Sequence, residues 1–265
     1  MLDDPDIIKL MSTLKQTLSD WKYIIKYMEK HPTSVQQLVL KYSVYIGFSN
    51  ACCLGAGGVW CSDIFALHPF LWQVGWSPDI QANLVTAENR NGFITMNSLE
   101  LAGAVLNWLA LECQPNIALK QQHVGTYCDN TLAVAWAHKL RTSKSTVAAC
   151  LLYLLSLHIH SRKASGLTPL NIAGDSNSMA DIVLHAFKSG QYFHASTNLT
   201  YFFNSNFPLS QNASWYSFQI PKRLASWVIA CLHGEPLPMG SLCLRLPKLG
   251  KNIGPTEQTM QDDVE

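Results

Sequence analysis

Three carboxylates and one amide lie far apart in the sequence, each in a setting that could bring it to a common site. They are Glu100 in SLELAG, Asp129 in TYCDN, Asp181 in SNSMAD and Asn50 in GFSNACC. Clustered carboxylates are hard oxygen ligands that suit Mg²⁺ or Mn²⁺. Two such ions about 4 Å apart can activate water and stabilise the leaving oxygen in phosphodiester hydrolysis. The series therefore indicates a metal-dependent nuclease site.

Each carboxylate also has a simpler interpretation when it is considered alone. Glu100 could be a helix-start carboxylate that the helix dipole favours. Asp129, followed by Asn130, could only cap the next helix, and Asp181 could be a solvated helix residue. The metal interpretation draws on position, because catalytic carboxylates of an open α/β sheet tend to lie at the carboxyl ends of strands. Asp129 directly follows the apolar run HVGTYC and so occupies such a position.

The elements that must position these residues alternate along the chain. Runs rich in β-branched and aromatic residues predict five strands, namely KYSVYIGFS, GAGGVWCS, Phe70 to Trp76, HVGTYC and LTPLNIAG. Apolar residues at helical spacing predict helices over 5–30, LELAGAVLNWLALEC with Ser98 as N-cap, NTLAVAWAHKL, 145–160, SMADIVLHAF and 221–232. Residues 79–96 are expected to be irregular. This order predicts an α/β fold with a mixed five-stranded sheet flanked by helices.

Composition sets limits on the class of protein. Of the 265 residues, 48% are hydrophobic and 14% are charged, which excludes a wholly disordered chain. The eight cysteines form no C-x-x-C pair, and the N-terminus has no signal-peptide pattern. The longest apolar run, 146–159, is too short to cross a bilayer. We therefore expect an intracellular protein, in the cytoplasm or the nucleus, with no membrane partner.

Four sequence blocks together carry a family resemblance. GFSNACCLGAGGVW, SLELAG, YCDNTLAVAWAHK and NIAGDSNSMAD resemble, in order and spacing, the ribonuclease H domain of retroelement reverse transcriptases of the LTR-retrotransposon kind. The resemblance covers about residues 42–188. It implies a ribonuclease H-like three-layer fold that cleaves RNA in RNA–DNA hybrids with two Mg²⁺ or Mn²⁺ ions. It also implies that Glu100, Asp129 and Asp181 are the catalytic metal ligands, and that the chain was originally part of a larger polyprotein.

The sequence departs from this family at Asn50. The family has an aspartate there that bridges both metals, whereas an amide offers one neutral carbonyl oxygen and no charge. Weaker metal binding should follow, with a rate at least about 100-fold lower, or about 2.7 kcal/mol of lost transition-state stabilisation. The resemblance thus predicts an impaired nuclease, and the alternative is an inactive nucleic-acid-binding or structural module. The loop IAGDSNS also lacks the histidine that family members often have before the last aspartate.

Contacts with nucleic acid would have to rely on local patches, because the net charge is only +1. Lys139, Arg141 and Lys144 cluster between two predicted helices and either form a solvated face or contact the phosphates of a hybrid. Asn130 is a candidate sugar or phosphate contact on family analogy. The glycines Gly55, Gly57 and Gly58 either shape a turn or bulge, or admit a nucleic-acid backbone close to the sheet.

Three segments are predicted. Residues 1–40 form a helical connector, residues 41–189 form the ribonuclease H-like domain, and residues 190–265 form a spacer with a short helix and partial disorder. The flanking segments resemble the connector before the module and the spacer after it in retroelement polyproteins.

Overall fold

The computed structural model describes residues 14–15, 18–19, 21–22, 25–26, 29, 43–61, 68–115, 117, 119–120, 122–142, 145–186, 195–209 and 213–235. The described strands are β1 Tyr45–Ala51, β2 Gly55–Cys61, β3 Phe70–Gly75, β4 His123–Cys128, β5 Gly166–Asn171 and β6 Tyr216–Phe218. The described helices with defined bounds are α1 Pro78–Ala82, α2 Met96–Glu112, α3 Thr131–Lys139, α4 Thr146–Ser161, α5 Ser178–His185, α6 Ala195–Asn206 and α7 Lys222–Leu232.

The strands form one mixed sheet in the order β5–β4–β1–β2–β3–β6. β1 and β2 are antiparallel, as are β2 and β3, because short connections join them along the chain. β4 is parallel to both β1 and β5, and the chain reaches it through helical crossovers. β1 and β4 are therefore central neighbours whose carboxyl ends point the same way.

The sheet separates two apolar cores. Adjacent residues of β2 and β3 face opposite sides, so the Val59–Leu71 pair and the Trp60–Phe70 pair belong to different cores. On one face, α2 lies across the sheet and α3, α4 and α7 pack against it. Residues 98–112 of α2 are all buried as a result. On the other face, α5 and α6 cover a smaller core around Phe203.

The predicted α/β class, with a mixed sheet and flanking helices, is confirmed. The prediction of five strands was wrong by one, because the described residues include β6, which pairs in parallel with β3. Residues 79–96, expected to be irregular, contain most of α1, where Pro78 begins a short helix. Helix α2 begins at Met96, and its N-cap is Thr95 rather than Ser98, because the Thr95 side chain accepts from the backbone N–H of Ser98.

The C-terminal segment contains more regular structure than the single predicted helix. That helix is present as α7, and α6 and β6 precede it. The Tyr216 hydroxyl in β6 donates to Gln114 at 2.6 Å, and His233 after α7 contacts Asp79 at 2.7 Å. Val228, Cys231 and Leu232 of α7 are buried in the larger core. Partial disorder was predicted for the spacer at 190–265, of which residues 236–265 lie outside the described residues.

The described residues between 14 and 29 are helical, in line with the predicted N-terminal helix. The rest of the predicted connector lies outside the described residues. No described helix combines the length and the apolarity that a bilayer crossing requires.

Candidate metal centre

Four elements bring the predicted site residues to one end of the sheet. Asn50 is near the carboxyl end of β1, and Asp129 directly follows β4. Glu100 is in the second turn of α2, on one face of the sheet, and Asp181 is in the first turn of α5, on the other. The parallel pairing of β1 and β4 aligns the two strand ends, so that both helices reach the same edge.

Glu100, Cys128 and Asp129 form the tightest cluster at this edge. Their ligand atoms all lie within 4.8 Å of one another. The Cys128 thiol donates to Oε2 of Glu100 at 3.6 Å. Glu100 is only 5% exposed and Cys128 2%, whereas Asp129 is half-buried at the mouth of the cluster. The cluster is thus a small, largely buried polar pocket that opens to solvent at Asp129.

Burial and mutual repulsion determine how these groups ionise. Burial, followed by the charge of Asp129, raises the pKa of Glu100 to about 8, while a backbone hydrogen bond from Ala51 opposes the rise. Burial and the charge of Asp181 also raise the pKa of Asp129 above its usual range. Burial raises the pKa of the Cys128 thiol well above its usual range, so this thiol stays protonated and acts as a donor. A bound cation would relieve the repulsion between the carboxylates.

Both the oxygen and the nitrogen of the Asn50 side-chain amide form hydrogen bonds within the protein. Its Oδ1 accepts from the backbone N–H of Ala51 at 2.8 Å, and its Nδ2 donates to Oδ1 of Asp181 at 3.3 Å. The amide has only this orientation available, because rotating it by 180° would place its oxygen against the Asp181 carboxylate and its nitrogen against an N–H group. Asn50 is 8% exposed. It therefore links β1 to Asp181 as a hydrogen-bond donor.

Asp181 has a second internal partner. His185, one turn later on α5, contacts Oδ2 of Asp181 through Nε2 at 2.9 Å. Both side chains are partly exposed, at 42% for Asp181 and 48% for His185. Each carboxylate oxygen of Asp181 thus already lies close to a side-chain nitrogen of the chain itself.

Two features hold α5 against the sheet at this point. Asn177, just before α5, donates from Nδ2 to the backbone oxygen of Ser49 in β1 at 3.0 Å. Gly57 in β2 is the cross-strand partner of Asn50, and a Cβ at Gly57 would lie 2.7 Å from Cγ1 of Val183. This glycine therefore makes room for α5, and Gly58 likewise accommodates Trp72. Neither of the two roles predicted for these glycines describes this packing.

The predicted nucleic-acid residues are not all near the cluster. Asn130 is the N-cap of α3, accepting from the backbone N–H groups of Leu132 and Ala133, and its Nδ2 donates to Oδ1 of Asn97 at 2.8 Å. It therefore lies at the rim. Lys139 and Arg141 are exposed at the opposite end of α3, about 13 Å further along a nine-residue helix. Lys144 lies outside the described residues.

The donors fit one divalent cation better than two. Glu100 and Asp129 offer carboxylate oxygens close together, and among the described residues no basic side chain shifts the pKa of either one. The protonated thiol of Cys128 is a soft donor that Mg²⁺ does not favour. Asp181, by contrast, already contacts Asn50 through one carboxylate oxygen and His185 through the other.

Sequence reasoning missed two residues of the site. Cys128 was counted only among the eight cysteines that form no C-x-x-C pair, although it directly precedes Asp129. His185 was not considered, although it is four residues after Asp181, the spacing at which two side chains meet on one helix face. That spacing was a usable signal. For Cys128, neither its residue type nor its apolar neighbours distinguish a site thiol from a core thiol.

Two solved structures are similar to this chain, whereas no protein-family model and no curated protein match it. One is LC11 ribonuclease H1 in complex with an RNA/DNA hybrid, at 16% identity over 54% of this chain and 94% of that one, with a TM-score of 0.40. Another is ribonuclease H1 from the halophilic archaeon Halobacterium salinarum NRC-1, at 9% identity over 54% of this chain and 95% of that one, with a TM-score of 0.38. Likenesses of this degree say nothing about the chemistry of this chain.

Proposed function

We propose that this chain is a ribonuclease H-like domain of retroelement origin that binds RNA–DNA hybrids and has lost most of its capacity to cleave the RNA strand. The observation that carries the proposal is the meeting of Glu100, Asp129 and Asp181 with an amide, Asn50, at one edge of the sheet. These residues come from β1, α2, β4 and α5, which are widely separated along the chain. The order of the four sequence blocks supports the same assignment.

In this proposal Glu100 and Asp129 hold Mg²⁺ or Mn²⁺. When bound, the cation supplies Lewis acidity toward a phosphate oxygen and lowers the pKa of a coordinated water. The burial of Glu100 keeps bulk water away from one side of the site. Asn130 and Asn97, paired at the rim, offer amide groups that can hydrogen-bond a sugar or phosphate.

Loss of activity follows from the chemistry of Asn50. A carboxylate at residue 50 would add a negative charge between Asp181 and the Glu100–Asp129 cluster, whereas the amide adds none. The amide also donates its N–H to Asp181, which commits one oxygen of that carboxylate. Transition-state stabilisation that depends on a second cation is therefore reduced.

A cleavage assay tests this function. A labelled RNA–DNA hybrid is incubated in Mg²⁺ or Mn²⁺ with the wild-type chain, with Asn50→Asp and with Asn50→Asp/Asp129→Asn. We expect Asn50→Asp to cleave the RNA strand at least about 100-fold faster than the wild type, equivalent to about 2.7 kcal/mol. The double variant, which lacks a proposed cation ligand, should return to the wild-type level. An Asn50→Asp chain that folds and binds hybrid but cleaves nothing would refute the nuclease ancestry.

The alternative is a module that only binds nucleic acid. The Asn50–Asp181 hydrogen bond favours it, because it keeps the site formed without a carboxylate at residue 50. Hybrid binding is then measured at several salt concentrations, and a decline in log K with log salt would report phosphate contacts. Binding by the wild type, with no gain of cleavage in Asn50→Asp, would favour this alternative.

A further inference from the structure

The two carboxylate oxygens of Asp181 each contact a side-chain nitrogen of the chain. Oδ1 accepts from Nδ2 of Asn50 at 3.3 Å, and Oδ2 is 2.9 Å from Nε2 of His185. Hydrogen-bond donors on a carboxylate supply part of the positive potential that a metal ion would supply. A cation entering beside Asp181 would have to displace at least one of them.

The remaining cluster differs in this respect. The ligand atoms of Glu100 and Asp129 lie within 4.8 Å of each other. Among the described residues, the charged neighbours that shift the pKa of these two groups are acids, with no Lys, Arg or His. Among the described residues, only the Cys128 thiol and the backbone N–H of Ala51 donate to Glu100, and Asp129 places a like charge nearby. A single cation would remove an unfavourable interaction here, whereas at Asp181 it would replace a favourable one.

We propose that this chain binds one divalent cation, at Glu100 and Asp129, and that Asn50 and His185 substitute for a second cation beside Asp181. The inference rests on the proposed function only in taking a two-cation site as the ancestral state. It assigns His185 a positioning role, since this side chain holds Asp181 in place from one turn along α5. The position of Asp181 beside Asn50 is also fixed by α5, because Asn177 hydrogen-bonds β1 and Gly57 leaves room for the helix close to the sheet.

Calorimetric titration of the full chain with Mn²⁺ alone, at pH 7.5 and without nucleic acid, tests the proposal. We expect one Mn²⁺ per wild-type chain and none in Asp129→Asn. Asn50→Asp should bind two, with the second site at least about tenfold tighter than any second site of the wild type. Asn206→Asp adds the same charge at an exposed position of α6. This control variant should still bind one Mn²⁺, which separates a local effect at residue 50 from an effect of net charge.

His185 is tested in the Asn50→Asp background. His185→Ala frees Oδ2 of Asp181, so the second Mn²⁺ should bind more tightly than in Asn50→Asp alone; weaker binding would refute the role given to His185. Two Mn²⁺ per wild-type chain, or one in Asn50→Asp, would overturn the proposal as a whole. Far-UV circular dichroism of each variant in chelator confirms folding. Because no hybrid is present, these results do not depend on whether the chain acts on nucleic acid.

Discussion

Glu100 lowers the stability of the fold that contains it. The side chain is 5% exposed and its pKa is raised to about 8 by burial and by Asp129, so the folded state resists its ionisation at neutral pH. The unfolded chain has no such penalty, because a free glutamate ionises near pH 4.3. A buried carboxyl retained at this expense is typical of a group kept for chemistry rather than for packing.

We therefore predict that Glu100→Gln stabilises the protein. In chelator at pH 7.5 the free energy of unfolding should rise by about 1–2 kcal/mol, the range of other substitutions that relieve a functional strain. Urea unfolding followed by circular dichroism measures the change. Glu235→Gln, at an exposed position, should leave stability unchanged. A loss of stability in Glu100→Gln would mean that the carboxylate is already compensated in the fold.

At the residue scale, the sequence was a better guide to where the candidate site residues lie in the fold than to which side chains they contact. The acids and Asn50 could be located because strand ends and helix starts determine where a side chain lies. The hydrogen bond from Asn50 to Asp181 could not be located, since it joins residues 131 positions apart and depends on how closely α5 approaches β1. No local pattern encodes that distance.

A buried charged network joins the helices of the larger core. Glu112 at the end of α2 accepts from the Trp108 indole at 3.1 Å, contacts Nδ1 of His158 at 2.8 Å and pairs with Nε of Arg162 at 2.8 Å. His158 lies against Trp227 of α7 with ring centroids 5.8 Å apart. Although burial opposes ionisation of Glu112, the two basic partners hold its pKa below the usual range. The network therefore fixes α2, α4 and α7 relative to one another.

Removing the carboxylate should destabilise this helical layer. Glu112→Gln leaves Arg162 without its charged partner and weakens the contact with His158, so the free energy of unfolding at pH 7 should fall by about 3 kcal/mol. The difference should disappear in acid. A folded pKa below the unfolded value means that the unfolded state binds more protons, so this contribution is complete above about pH 4.3 and is lost as the pH falls through the folded pKa.

Unfolding of wild type and Glu112→Gln by urea at several pH values from 7 to 3 measures both effects. The two curves should converge toward pH 3. A constant difference across that range would mean that the variant loses packing rather than charge.

At the element scale, the main strands and helices could be predicted because their periodicities of 2 and 3.6 are distinct. The errors occurred at helix starts, where neighbouring residues can serve equally well as caps, and in elements too short to show a period. Ser98 and Thr95 are both plausible caps, and the structure uses Thr95 because its hydroxyl faces the Ser98 N–H. Helix α1, at five residues, is too short to show a period, and proline at its first position is favourable for a helix start.

On the scale of the whole molecule, the segment after residue 212 completes the sheet and the larger core. β6 covers the open edge of β3, and α7 buries Val228, Cys231 and Leu232. An uncovered edge strand invites pairing with other chains. We infer that the folding unit extends to about residue 235, beyond the boundary at 189 that the sequence suggested.

A truncation series tests this boundary. A chain ending at residue 212 should lose about 5 kcal/mol or more, because three buried side chains are worth about 1.5–3 kcal/mol each, and it should aggregate on heating. A chain ending at residue 235 should melt like the full chain. Thermal unfolding with light scattering distinguishes them, and equal melting of all three chains would place the boundary before β6. The sequence could not predict β6, because three residues carry too little alternation to be recognised as a strand.

Gly57 shows how a site can depend on a residue with no chemistry of its own. Helix α5, which bears Asp181, packs directly against the backbone of Gly57, and Gly57 is the cross-strand partner of Asn50. One added methyl group would push that helix outward and pull the carboxylate away from its amide partner. A single codon change at Gly57, which is not itself a ligand, could thus leave every acid of the series in place and still disrupt the geometry of the site.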